Sequence, residues 1–129
     1  MARPRLPRPT DTELSILRVL WQRGPCTVRE IHDALSHRRD SVYTSTAKVL
    51  QIMMDKGLTT REDWGRVHRY SAAGSEEDTQ RQLVEDLLER AFGGSSVKLM
   101  QRALDIRRAS PRDLAEIRKL LDGGRRRTR

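Results

Sequence analysis

The sequence predicts a mainly α fold: an N-terminal winged helix-turn-helix with a small β-hairpin wing, then a C-terminal three-helix dimerisation region. Three observations lead there. Ser41 to Gly57 reads as a helix whose outer face carries short hydroxyls, an amide and one lysine in place of the usual Glu/Lys mixture. Two capped helices and a polar turn precede it, and an arginine-rich hairpin pattern follows directly. Past Gly74 the chain turns to amphipathic, charge-mixed helices with more apolar stripe than three short helices can cover among themselves.

Residues 1–9 place Arg3, Arg5 and Arg8 among Pro4, Pro7 and Pro9, which makes an extended basic arm. Such an arm either contacts phosphates or stays a solvated tail. Thr10-Asp11-Thr12-Glu13 has capping-box spacing, and the helix it opens runs to about Arg23 with Leu14, Leu17, Leu20 and Trp21 inward. Gly24-Pro25 stops it, and Cys26 in the connector reads as a buried structural thiol. Thr27-Val28-Arg29-Glu30 repeats the box. A short helix with Val28, Ile31, Ala34 and Leu35 apolar then ends near Ser36, and His37 to Asp40 form a polar turn.

In the third helix Val42, Tyr43, Thr46, Ala47, Val49, Leu50, Met53 and Met54 fall on the inner side. Thr44, Ser45, Lys48, Gln51, Ile52 and Asp55 fall on the outer side. Short polar groups reach base edges and phosphates closely, so this is the expected DNA recognition helix. Gln51 suits a bidentate pair with adenine, Lys48 a guanine or phosphate, and Ile52 a thymine methyl. Tyr43, at the helix start, can pack its ring inward and turn its hydroxyl to a phosphate. A merely polar face is the plainer reading of the same residues.

Leu58 to Arg61 and Val67 to Tyr70 are the two β-compatible runs, with Asp63-Trp64-Gly65 expected as the turn. Arg61, Arg66, His68 and Arg69 would put positive charge on this wing, beside the phosphates. Trp64 at the tip meets either the sugar-phosphate surface or its own hairpin.

Ala72 to Ser75 mark a change of composition, and three helices are expected beyond it. The first carries Leu83, Val84, Leu87, Leu88, Ala91 and Phe92 and ends at Gly93-Gly94. The second, capped by Ser95 or Ser96, carries Val97, Met100, Ala103 and Leu104. Ser110-Pro111 opens the third, with Leu114, Ile117, Leu120 and Leu121 apolar and Gly123-Gly124 closing it. The expected dimerisation residues are Leu83, Leu87, Leu88, Phe92, Met100, Leu104, Leu114, Ile117 and Leu121, and the partner is most simply a second copy. The domain plan is therefore an arm at 1–9, a winged helix at 10–73, a helical dimerisation region at 74–122 and a basic flexible tail at 123–129.

Composition agrees with this plan. Aromatic residues are 4% and hydrophobic residues 36%, a thin core that favours oligomerisation. Lys and Arg number 26 against 18 acidic residues, a net +8 that suits a polyanionic partner. Residues 1–73 hold thirteen basic and eight acidic side chains, and residues 74–122 hold nine and ten. Arg125, Arg126, Arg127 and Arg129 add four positive charges at the end. The excess thus lies on the expected DNA-binding half and the tails. One cysteine excludes an intrachain disulfide and a multi-cysteine metal site. No apolar stretch has membrane-spanning length and the first residues lack a signal-peptide core, so no membrane insertion and a cytoplasmic location are expected.

Nothing resembles a nucleophile elbow, a phosphate-binding glycine loop or a paired-carboxylate centre, so no enzyme, no cofactor and no metal are expected. His32 and His37 are five apart, off the spacing that puts two ligands on one helical face. Glu30, His32 and Asp33 as a hydrolytic centre read better as a solvated helix surface.

Several of these stretches together resemble the penicillinase-repressor (BlaI/MecI/CopY) family of transcriptional regulators. They are Thr12-Glu13-Leu14 with Leu20-Trp21, Tyr43 to Thr46, Asp55 to Leu58, and Gly65 to Tyr70. Leu87-Leu88, Ala91 to Ser95 and Leu114 to Ile117 continue the likeness, which spans roughly Thr10 to Leu121. The resemblance implies a homodimeric repressor on an inverted-repeat, double-stranded DNA operator. In one branch of the family, cleavage in the dimerisation region releases the repressor, with a membrane-linked protease as inducer. In another, metal binding to C-terminal cysteines does so. The chain departs from both: its one cysteine is Cys26, and Arg102-Ala103 stands where the first branch is cut at Asn-Phe. An alternative use of the same fold is a winged-helix protein-interaction module with no DNA target, for which exposed Trp64 and Ile52 would speak.

Overall fold

The computed structural model describes residues 7–35 and 43–127. The expected arm as far as residue 6, the polar turn within 36–42 and the end of the tail at 128–129 lie outside them. The elements run α1 (Asp11–Arg23), α2 (Val28–Leu35), α3 (Tyr43–Lys56), β1 (Thr59–Trp64), β2 (Val67–Ala72), α4 (Glu76–Ala91), α5 (Ser96–Ile106) and α6 (Pro111–Arg127). The winged-helix order of the sequence reading is present. The chain divides into two compact units, Met1–Glu85 and Asp86–Arg129.

Local chemistry sets the helix starts. The Thr10 hydroxyl accepts from Glu13 N–H at 3.2 Å while the Glu13 carboxylate accepts from Thr10 N–H at 2.8 Å. Thr27 and Glu30 form the same reciprocal pair at 2.9 and 3.2 Å in front of α2. Ser75, Ser95 and Ser110 cap the later three helices through their hydroxyls. Each cap satisfies backbone donors that the first helical turn leaves open. At the far end of α3, Gly57 has φ +84°. There Leu58 N–H reaches Met53 O at 2.8 Å and Gly57 N–H reaches Met54 O at 3.1 Å, the Schellman pairing that turns the chain directly into β1.

The core of the first unit gathers Ile16, Leu17, Val19 and Leu20 of α1, Cys26, Ile31 of α2, Leu50 and Met53 of α3, Leu58, and Tyr70 of β2. Ile16, Ile31, Leu50 and Met53 are completely enclosed, each contributing about 1.5–3 kcal/mol of apolar burial. The inward face of α1 differs from the expected one. Ile16 and Val19 are buried, whereas Leu14 and Trp21 are only half-buried. α1 is covered on two sides, by α2 and α3 and by the wing, so its buried arc is wider than a single stripe.

The wing pairs antiparallel in the register Thr59↔Ala72, Arg61↔Tyr70, Asp63↔His68 and Trp64↔Val67. The turn is therefore Gly65-Arg66, and Asp63 and Trp64 belong to β1, not to the turn as the sequence reading had it. Gly65, with φ +65°, opens a two-residue connection whose second residue keeps a negative φ, the pattern of a type II′ turn. Cys26 bridges β2: its N–H donates to Tyr70 O at 3.0 Å and its carbonyl accepts from Tyr70 N–H at 2.7 Å. The wing root is thereby tied to the connector between α1 and α2.

Two boundaries move. The Trp21 indole N–H donates to Gly74 O at 3.1 Å and Thr79 is buried, so the first turns of α4 belong to the first unit. The division accordingly falls within α4, after Glu85, where the sequence reading placed it after residue 73. α6 also continues through Gly123 and Gly124 to Arg127, where the glycines were expected to close it and a flexible tail to begin. Glycine lowers helix propensity by roughly 1 kcal/mol but does not forbid the helix.

Candidate nucleic-acid interface

The third helix sorts its side chains as the periodicity predicts. Thr46, Leu50 and Met53 are buried, Ala47, Val49 and Met54 half-buried, and Ser45, Lys48, Gln51, Ile52 and Asp55 exposed. At 3.6 residues per turn the exposed five span an arc of roughly 120°, one continuous face. The side chains of Tyr43 and Thr44 lie outside the described residues. Gln51 donates to Asp55 Oδ1 at 3.2 Å, which holds the amide along the helix surface. Lys48 and Asp55 cancel in charge, so the face offers hydrogen-bonding groups and the Ile52 side chain more than it offers field.

Both ends of α3 are pinned by polar contacts to its neighbours. Near the start, His32 Nδ1 of α2 lies 3.4 Å from the buried Thr46 hydroxyl. At the other end the Lys56 ammonium spans both Glu13 oxygens, at 2.9 and 3.0 Å. Glu13 is buried, and burial alone would raise its carboxyl. The Thr10 backbone N–H, the Lys56 ammonium and the Thr10 hydroxyl outweigh that and hold it below the usual glutamate value. The cap role of Glu13 is legible in the sequence, and the ion pair is not. Its partner lies forty-three residues away, with no local spacing to reveal it.

The wing carries the four expected basic residues, all of them accessible to some degree, but it is largely self-paired. His68 Nδ1 sits 2.6 Å from Asp63 Oδ1, and Arg61 Nε lies 3.4 Å from the same oxygen. The Arg69 guanidinium stands over the Trp64 ring at 5.1 Å, and the Trp64 indole N–H donates to Glu62 Oε2 at 3.1 Å. Arg61 and His68 thus share Asp63, Arg69 is engaged by the Trp64 ring, and Arg66 has neither kind of contact among the described residues. Glu62 and Asp63 supply the acidic side of these contacts. A two-residue turn at Gly65-Arg66 would have set them across from Arg69 and His68. Trp64 is 59% exposed, braced by its own hairpin on one face and open on the rest.

Cys26 is buried, its thiol donates to Gly24 O at 3.3 Å, and burial, then Glu30, push the thiol pKa up. Both describe the structural thiol that was expected. Glu30 is engaged in the α2 cap, whose backbone and hydroxyl hydrogen bonds lower its pKa, and His32 faces Thr46. No group of three or more His, Cys, Asp or Glu side chains able to hold a metal occurs among the described residues. No helix among them is long and apolar enough to cross a membrane.

The expected dimerisation residues are open to different degrees. On α4, Leu83 and Leu88 are half-buried and Leu87 is exposed, and Phe92 just past its end is half-buried. On α5, Met100 and Leu104 share a face with Val97 and all three are exposed; no α5 residue is buried. On α6, Leu114 and Leu121 are exposed and Ile117 half-buried. Ile106, at 84%, and Leu120, at 73%, extend this uncovered apolar surface. Ile106 had not been singled out because it stands alone at the end of its helix.

Fold and site together define a winged-helix protein with a hydrogen-bonding third helix and a helical C-terminal region. The chain belongs to the penicillinase repressor family, whose model matches residues 9–123. It is 38% identical over 93 residues to the transcriptional regulator BlaI of Mycobacterium tuberculosis, a match covering 71% of this chain and 67% of that protein. An uncharacterized 16.5 kDa protein of Latilactobacillus sakei is 23% identical over 112 residues, covering 87% of this chain and 77% of that one. Among solved structures, the DNA-binding domain of the repressor BlaI is similar with a TM-score of 0.51 and 24% identity, over 59% of this chain and 93% of that domain. Bacillus licheniformis BlaI, in its monomeric form in complex with the blaP half-operator, gives the same score and identity over 57% and 90%. These two likenesses establish the fold.

Proposed function

We propose that this chain is a sequence-specific DNA-binding repressor that acts as a homodimer on an inverted-repeat operator. The observation that carries the reading is α3. An inner side anchored by buried Thr46, Leu50 and Met53 supports a continuous exposed face that includes Ser45, Lys48, Gln51 and Ile52, groups that suit base edges in the major groove. In this reading Tyr43 and Thr44 at the start of α3, and Arg61, Arg66, His68 and Arg69 of the wing, add further contacts to the DNA. The relatives named as transcriptional regulators, and the BlaI structure in complex with a half-operator, support the same assignment.

The homodimer rests on the uncovered apolar faces of α5 and α6, with Leu83, Leu87 and Leu88 of α4 and Phe92 just after it as further contributors. Two copies would present two α3 helices to half-sites related by a dyad. Release by proteolysis in this region is the finest part of the proposal. Arg102 and Ala103 are both exposed within α5, and a membrane-linked protease is the inducer the family likeness suggests. Mass spectrometry of the chain after induction would locate a cut, and an intact chain on derepression would remove proteolysis from the scheme.

Selection of duplexes from a random pool tests the main reading. Enrichment of a palindromic site, with binding that weakens steeply as salt rises, is the expected result. Thr44→Ala with Gln51→Ala should weaken the selected site far more than random DNA. The exposure of Ile52, Trp64 and Val67 favours a second reading, a protein-interaction module. Failure to enrich any sequence at moderate salt would move the assignment there.

A further inference from the structure

The geometry points to Glu13 and Lys56 as positioning residues that fix how α3 presents its outer face, so that they govern sequence discrimination without touching DNA. The inference rests on the DNA-binding reading above. Its starting point is the kind of contact that seats α3. Leu50 and Met53, the fully enclosed residues of the helix, make apolar contacts, and such contacts are non-directional. An apolar seat fixes depth firmly but leaves rotation about the helix axis and sliding along it less tightly defined. Hydrogen bonds to charged groups are directional and stronger than neutral ones, and they suit that second task.

Lys56 is the last residue of α3, and Glu13 is the third residue of α1. The ammonium bridges both carboxylate oxygens within 3.0 Å. The carboxylate is itself held by the Thr10 N–H at 2.8 Å, so it cannot swing to follow a displaced lysine. One buried group thus closes the α1 cap and anchors the end of the recognition helix. Lys56 stands one turn beyond Ile52, at the border of the face formed by Ser45, Lys48, Gln51, Ile52 and Asp55, and its ammonium is turned to α1, where it is committed to the Glu13 carboxylate. A turn or slide of α3 by an ångström or two would misplace the Gln51 and Ser45 side chains relative to base edges. Phosphate contacts from the wing and tails tolerate such a shift. The pair should therefore affect specific binding and leave non-specific binding nearly alone.

The experiment uses the full-length chain, a duplex enriched by the wild-type protein from a random pool, and a scrambled duplex of equal length. Glu13→Gln, Lys56→Met and Lys56→Arg are compared with wild type at a temperature where circular dichroism shows each folded. The expected result for Glu13→Gln and Lys56→Met is a drop of about tenfold in the ratio of specific to non-specific affinity, with scrambled-duplex affinity within about twofold of wild type. The double variant should be no worse than the worse single one, because the two act as one unit. Lys56→Arg, which keeps the charge, should restore most of the ratio.

Lys56→Met leaves the Thr10–Glu13 cap in place and so decides the matter even where Glu13→Gln does not fold. Folded variants that melt earlier yet keep the wild-type ratio would show an ion pair with a purely structural role and overturn the inference. If the wild-type chain enriches no duplex, the DNA-binding reading fails and takes this inference with it.

Discussion

The first unit and the C-terminal helices use the same amphipathic grammar to different ends. In the first, ten apolar residues from three helices, a connector and a hairpin close on one another, and Ile31, Leu50 and Met53 retain no exposure. In α5 no residue is buried, and Leu104, Leu120 and Leu121 remain 43 to 73% exposed. The contrast separates two requirements on an apolar stripe. In the first unit the stripe is used up within the chain to hold a face still, and in α5 and α6 it stays exposed among the described residues.

The largest expected effect tests the closed side of that contrast. Ile31→Ala opens a cavity where α2 meets the core and should cost about 2–5 kcal/mol, read as a lower denaturant midpoint at unchanged slope. A loss below about 1 kcal/mol would mean that the core collapses around the gap and is looser than its burial implies. On the open side, Leu104→Glu with Leu121→Glu should leave folding of the first unit intact. Sedimentation should shift toward monomer, and affinity for a two-half-site duplex should fall by roughly tenfold or more as linked binding is lost. Unchanged sedimentation would remove α5 and α6 from the dimer.

How much of this was readable from the residues follows the range of the interactions. Caps at Thr10, Thr27 and Ser110 depend on neighbours three residues away and are located by the sequence patterns, while Ser95 is one of two adjacent candidates there. The inner and outer faces of α3 follow from helical period alone. Failures occur where partners are distant or where two local preferences compete. The Glu13–Lys56 pair joins residues forty-three apart. The burial of Ile16 and Val19 depends on α1 being covered from two sides. The turn was set two residues early because Asp63 is a good turn former, whereas Gly65 with its positive φ decides the register. Gly123 and Gly124 marked a helix end that α6 passes through.

Acid should expose the internal pinning of the first unit. The folded pKa of Glu13 lies below its ordinary value, so its contribution is complete above the unfolded pKa and is lost as pH falls through the folded one. Wild-type stability should thus decline more steeply than that of Glu13→Gln as pH is lowered from about 5 through the acid range. Parallel curves would show that Glu13 is no better stabilised folded than unfolded.

The smallest effect concerns the wing, where charge is present but already committed. Asp63 holds both Arg61 and His68, so their attraction for phosphate is partly spent within the hairpin, while Arg66 in the turn is unpaired among the described residues. Salt dependence of binding to random DNA counts phosphates neutralised, and each lost contact lowers the slope by about 1. Arg66→Ala should produce that decrease. Asp63→Asn should do the reverse: it removes one repulsive charge, frees two basic groups and steepens the slope. Were Asp63→Asn to leave the slope unchanged, Arg61 and His68 would have to reach phosphates despite their partner, and the wing would be a stronger grip than its own ion pairs imply.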